Sequence, residues 1–83
     1  MILFAYVSEN IERIRREVKM GVIPLSVLIQ WEVYARFDYY IKAGNSKTMA
    51  VFYVAEDYRK SEREVYRIIK KMQSDESVNN KLQ

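Results

Sequence analysis

The sequence predicts an all-α fold, a compact domain of four helices with a helix-turn-helix at its C-terminal end. Three observations lead there. Apolar residues in the first segment recur at the helical period. The two glycines and the single proline fall between apolar stretches, where helices stop and start. "SERE", Ser61 to Glu64, carries the wording of a helix N-terminus.

The first helix rests on Leu3, Val7, Ile11, Ile14 and Val18, spaced by four, four, three and four. Glu12, Arg13, Arg15, Arg16 and Lys19 take its other faces. Gly21 ends it, because glycine accepts a left-handed cap without steric cost. Pro24 lacks an N–H and has a preset φ, which suits the first turn of the next helix. That second helix runs from about Leu25 to Lys42 and is apolar on most sides, so several neighbours must cover it. Glu32/Arg36 and Asp38/Lys42 sit four apart and can bridge one turn. Gly44 breaks the chain again, and Asn45 or Ser46 can cap a third helix from about Lys47 to Tyr58. In the fourth, the Ser61 hydroxyl takes a backbone N–H of the first turn while Glu64 reaches back. Val65, Ile68, Ile69 and Met72 continue it. The polar remainder, 74–83, has no periodicity and reads as a flexible tail to a single domain over 1–73.

With 83 residues, the domain is small. A chain of this length buries roughly 60–65% of its unfolded surface and is marginal without help. Cysteine and histidine are both absent. That excludes disulfides and thiolate metal sites, and removes the commonest general base. The surplus of aromatic residues points to a homodimer, with a second copy covering part of the apolar surface. "MILFAYV" lacks a basic leader and a cleavage site, and is far shorter than the ~20 residues that span a bilayer. The expectation is a cytoplasmic protein without membrane contact, cofactor, metal or evident small-molecule ligand.

Charge is distributed unevenly. From Met1 to Asp57, seven basic residues meet seven acidic ones. From Tyr58 to Met72, Arg59, Lys60, Arg63, Arg67, Lys70 and Lys71 face only Glu62 and Glu64. That asymmetry is the footprint of a polyanion-binding face. The same stretch has the skeleton of a helix-turn-helix. Two helices joined by three residues must cross steeply, and their crossing requires a small side chain. Ala55 supplies it, bracketed by Val54 and Tyr58, with Val65 and Ile68 folding back from the second helix.

"TMAVFYVAEDYRKSEREVYRIIKKM" resembles the helix-turn-helix of bacterial and phage transcription regulators, and more loosely the phage Mor-type activators. Thr48, Val54, Ala55, Tyr58, Ser61, Val65, Tyr66, Arg67 and Ile68 match the usual wording. The likeness covers about 47–72 only. Two positions depart from it: Arg59 stands where such proteins commonly have glycine, and Lys60 where they have an apolar residue. The resemblance implies that the last helix enters the major groove of double-stranded DNA. Ser61, Glu62, Arg63, Tyr66, Arg67 and Lys70 would then read bases, with Arg63 and Arg67 matching guanine O6/N7. Lys47, Thr48, Arg59, Lys60 and Lys71 would hold phosphate.

Other features read more simply. "WEVYARFDYY" is apolar cover rather than a stacking platform for bases. The adjacent pairs Glu56–Asp57 and Asp75–Glu76 do not converge on one site. "RIRREVK", Arg13 to Lys19, is a second basic face that Glu12 and Glu17 offset, so it reads as solvated, with phosphate contact as the alternative. No nucleophile–base pair is visible, and the chain reads as a non-enzyme. The alternative to a regulator is a small helical adaptor whose aromatic helix docks a larger partner.

Overall fold

The computed structural model describes residues 3–74. Five α-helices follow one another: α1 (Leu3–Glu9), α2 (Ile11–Lys19), α3 (Leu25–Lys42), α4 (Lys47–Tyr58) and α5 (Glu62–Met72). No strand occurs among the described residues, so the all-α class holds. Of the tail expected over 74–83, residues 75–83, with the Asp75–Glu76 pair, lie outside the described residues.

The four expected helices become five because the first divides at Asn10. There φ is −112° and ψ is 19°, outside the helical well. The Asn10 side-chain Nδ2 donates to the Tyr6 carbonyl at 2.8 Å. Its backbone N–H is shared between the carbonyls of Tyr6 and Val7, 3.2 Å from each. Asparagine offers a local hydrogen bond that competes with the helical ladder. The apolar stripe runs across this break unchanged. Leu3, Val7 and Ile14 are buried, and Ile11 and Val18 pack against the core.

Both glycines act as helix stops. Gly21 has φ +80° and Gly44 φ +101°. After α2, the Val22 N–H donates to the Glu17 carbonyl at 2.9 Å and the Gly21 N–H to Val18 at 3.0 Å. After α3, Asn45 donates to Tyr40 at 3.1 Å and Gly44 to Ile41 at 3.0 Å. Each set is the paired closure that satisfies the last carbonyls of a helix. Pro24 precedes α3 with an extended backbone, and Ser46 caps α4 by accepting from the Met49 N–H at 3.2 Å.

α3 is the hub, packed against all four other helices. Its core face is Val33, Tyr34 and Phe37. α4 brings Ala50, Val51, Val54 and Ala55 to it, and α5 brings Val65, Ile68, Ile69 and Met72. Trp31 is tied to α1: its Nε1–H donates to Ser8 Oγ at 2.8 Å. Phe4 lies against both Trp31 and Tyr34, with ring centroids 6.4 and 4.5 Å apart. The aromatic segment is therefore largely packing, as its composition suggests. The cover is incomplete, and Leu25, Ile29, Tyr39 and Ile41 of α3 remain exposed. No helix among the described residues is long and apolar enough to cross a membrane.

Candidate nucleic-acid interface

The basic segment is built from the turn between α4 and α5. Arg59, Lys60 and Ser61 separate the two helices. Arg59 is left-handed, with φ 53° and ψ 46°, the one non-glycine residue with positive φ among those described. That conformation lets the Lys60 N–H donate to the Ala55 carbonyl at 3.0 Å and close α4. The sequence places arginine where the turn favours glycine, and the backbone takes the strained well regardless, at a cost of about 1 kcal/mol.

Ser61 then caps α5, its hydroxyl accepting from the Glu64 N–H at 3.1 Å. The expected capping box is only half formed. The Glu64 carboxylate does not reach back to Ser61 but accepts from Lys60 Nζ at 3.2 Å. The reason is local: Lys60 is half-buried in the slot where an apolar residue was expected, and its stem carries the ammonium to Glu64.

Ala55 is buried where the two helices meet, and Val54 and Val65 beside it are fully buried. Tyr58 is half-buried, its hydroxyl donating to the Glu32 carbonyl at 3.4 Å. These buried positions roll α5 so that its other side faces water. Arg63, Tyr66, Arg67 and Lys70 are exposed, and their spacing puts them on one stripe opposite Val65, Ile68, Ile69 and Met72. Arg63, Arg67 and Lys70 form no ion pair among the described residues. Ser61 and Glu62 lie at the start of this surface, where a shallow notch of about 360 Å³ is lined by Phe52, Ala55, Glu56 and Arg59. Glu62 also sits favourably at the positive end of the helix dipole.

The expected phosphate contacts divide. Lys47 and Thr48 are exposed at the start of α4, and Lys47 Nζ lies 5.9 Å from the centre of the Tyr66 ring, which joins the two helices' surfaces. Arg59 is exposed beside the notch. Lys60 has its charge shared with Glu64. Lys71 does not join the stripe. It is half-buried at a cavity of about 90 Å³ walled by Leu3, Val7, Ile14 and Met72, next to α1 and α2. One residue along a helix is a rotation of about 100°, so Lys70 and Lys71 face different neighbours. The Lys47–Tyr66 contact was not evident from sequence, since it joins residues on different helices.

Among the described residues no cluster of histidine, cysteine or carboxylates could hold a metal ion. Compared with known protein families, curated proteins and solved structures, the chain matches none.

Proposed function

We propose that the protein is a small DNA-binding transcription regulator in which α4 and α5 act as a helix-turn-helix and α5 docks in the major groove. One observation carries this reading: the outward stripe of α5 holds three cations, Arg63, Arg67 and Lys70, that no carboxylate of the described residues neutralises. Paired surface cations are a solvated face. An unpaired row beside an aromatic ring, along a capped helix, fits a groove lined by phosphates and base edges. Arg63 and Arg67 are assigned to base reading with Ser61, Glu62, Tyr66 and Lys70. Lys47, Thr48 and Arg59 are assigned to phosphate, and Lys60 only in so far as Glu64 releases it. Lys71 is withdrawn from direct contact by its place beside α1 and α2.

The test is selection of bound sites from random duplexes, followed by a salt titration on the winner. Affinity should fall with a log–log slope of about −3 to −5, the signature of several neutralised phosphates. Arg67→Ala should reduce discrimination between the selected site and random duplex by roughly 5- to 150-fold. Enrichment of no sequence, with salt-independent binding, would sink the reading.

A homodimer fits the size of the domain. Tyr39, Ile41, Met49 and Phe52 are exposed around the C-terminal half of α3 and the outer face of α4. Their rings run on through Tyr40 and Tyr53, with neighbouring centroids 5.2–5.8 Å apart. Both signs of charge surround them: Arg36 lies over Tyr39, and Asp57 accepts from the Tyr40 hydroxyl at 2.6 Å. Two copies can meet there without like-charge repulsion. Sedimentation showing a monomer at micromolar concentration removes this state. The same exposed aromatics favour a second reading, a helical adaptor without enzymatic activity, which predicts no salt-dependent duplex binding at all.

A further inference from the structure

The second basic face, on α2, is not used by DNA binding as proposed. By composition Glu12 and Glu17 offset its cations, but in three dimensions only Glu12 shares a groove with them. The Glu17 carboxylate lies 4.0 Å from Arg13 Nε, and Arg13 Nη2 donates to the Tyr6 hydroxyl at 3.0 Å, so that acid is committed to one edge of the helix. Arg16 and Lys19 are exposed and form no ion pair among the described residues. Arg15, also exposed, has its guanidinium 6.0 Å from the centre of the Trp31 ring. Only Glu12 remains beside these three.

The cations border an open groove of about 530 Å³ between α2 and α3, lined on its apolar side by Val18, Leu25 and Leu28. Leu25 is 59% exposed, and Met20 and Val22, in the link between the two helices, are 69% and 65% exposed. A merely solvated basic helix has no need of this. Within the groove Leu25 is exposed while Val18 and Leu28 are half-buried, and an exposed leucine bordered by cations offers apolar area to a partner of complementary charge.

We infer that this groove docks an acidic amphipathic helix of a partner protein. Leu25, Leu28 and Val18 offer an aliphatic floor for apolar anchors at i, i+3/i+4 and i+7. Arg15, Arg16 and Lys19 stand along one margin to receive carboxylates, and an arginine fork takes a carboxylate through two parallel bonds. A second copy of this chain set face to face would bring the same cations together, so charge disfavours it. No residue of α4 or α5 lines the groove. The partner therefore docks without displacing a duplex from α5, and the inference does not depend on the DNA reading.

The probe is a fluorescein-labelled synthetic peptide of about 14 residues, four helical turns, with leucines on one face and glutamates flanking them. Its control has the same composition scrambled. The full-length protein should bind the probe saturably at micromolar concentration, with amide shifts centred on Arg15, Arg16, Lys19, Leu25 and Leu28. Arg16→Glu and Leu25→Ser should each weaken binding about tenfold or more, while thermal melting stays at the parental value and any duplex binding changes by less than about threefold. The inference is overturned if no saturable binding appears, if the scrambled peptide binds equally, or if the shifts fall on Arg63 and Arg67. It is overturned in favour of a lipid surface if phosphatidylglycerol vesicles bind more tightly than the peptide and the same substitutions abolish that binding. Self-association in sedimentation that Arg16→Glu removes would overturn it in favour of a second copy.

Discussion

α2 and α5 are made from nearly the same parts. α2 is "IERIRREVK" and α5 is "EREVYRIIKKM". Both are amphipathic and basic, with acid in the first turn and cations in the last. Their surroundings differ. α5 packs against α1, α3 and α4, so its buried stripe is enclosed and its cations project as a clean row beside Tyr66. α2 packs chiefly against α1 and α3, and its cations border the exposed Leu25 and the half-buried Leu28 and Val18. On the proposed readings equal charge would serve different partners, and the decision lies in what borders the charge. A rigid polar row suits a duplex, whereas a row beside aliphatic surface suits a helix with an apolar face of its own.

The largest effect should come from truncating the buried isoleucine of each helix. Ile69 and Ile14 are equally buried. Ile69→Ala should cost about 3–4 kcal/mol, and Ile14→Ala about 2, because α2 lies at the edge and the chain around it can relax into the cavity. Urea midpoints measure both. Equal costs, or the reverse order, would mean that α2 is as integral to the core as α5.

Next comes the paired replacement of arginines. Arg63→Ala with Arg67→Ala should reduce affinity for the selected duplex about 100-fold, as expected for losing two base contacts. Arg15→Ala with Arg16→Ala should change it by less than about threefold, a residual long-range effect that added salt screens. Similar losses from both pairs would erase the proposed division of labour between the helices.

The ends of the segments differ too. The link after α2 turns at Gly21, while the one before α5 turns at Arg59. Arg59→Gly should raise stability by about 0.5–1 kcal/mol, since relief of the left-handed strain outweighs glycine's extra freedom in the unfolded chain. Gly21→Ala should lower it by a similar amount. A Cβ at Gly21 meets no atom within 4 Å, so the backbone alone sets that cost. If Arg59→Gly is neutral, contacts of the arginine side chain offset its strain.

How far the sequence can be read follows the same physics. The stops at Gly21 and Gly44, the serine caps at 46 and 61, and the burial of Val54, Ala55, Val65 and Ile68 were legible because each depends on near neighbours or helical period. The exposed row of Arg63, Arg67 and Lys70 was legible for that reason, since the buried positions leave it only one direction to face. The break at Asn10 was missed because apolar spacing continues through it; the asparagine itself was the available signal. Lys71 is assigned to phosphate by its place in the basic run, and rotation along the helix turns it toward α1 and α2 instead. The groove on α2 is hidden in the sequence because Glu12 and Glu17 together offset the basic run by composition, whereas Glu17 lies on the Arg13 side and does not line the groove. Which carboxylate meets which cation is a matter of distance, and net charge does not carry that information.

The smallest expected effect tests that point directly. Each helix has one carboxylate within 4.0 Å of a cation four residues away: Glu17 with Arg13 at 4.0 Å, and Glu64 with Lys60 at 3.2 Å. Exposed pairs of this kind contribute a few tenths of a kcal/mol, about 0.3–0.5. Glu64→Gln should destabilise within that range, and Glu17→Gln by less, because its pair is at the limit of contact. Their effects on duplex binding should diverge. Removing the Glu64 charge releases Lys60 next to α5, so affinity should rise about two- to threefold and the salt slope steepen by about one phosphate. Glu17→Gln frees Arg13 beside α1 and should leave the slope unchanged. A steeper slope from Glu17→Gln would place the phosphate path across α2. An unchanged slope from Glu64→Gln would mean that Lys60 stays buried against the turn whether or not a carboxylate holds it there.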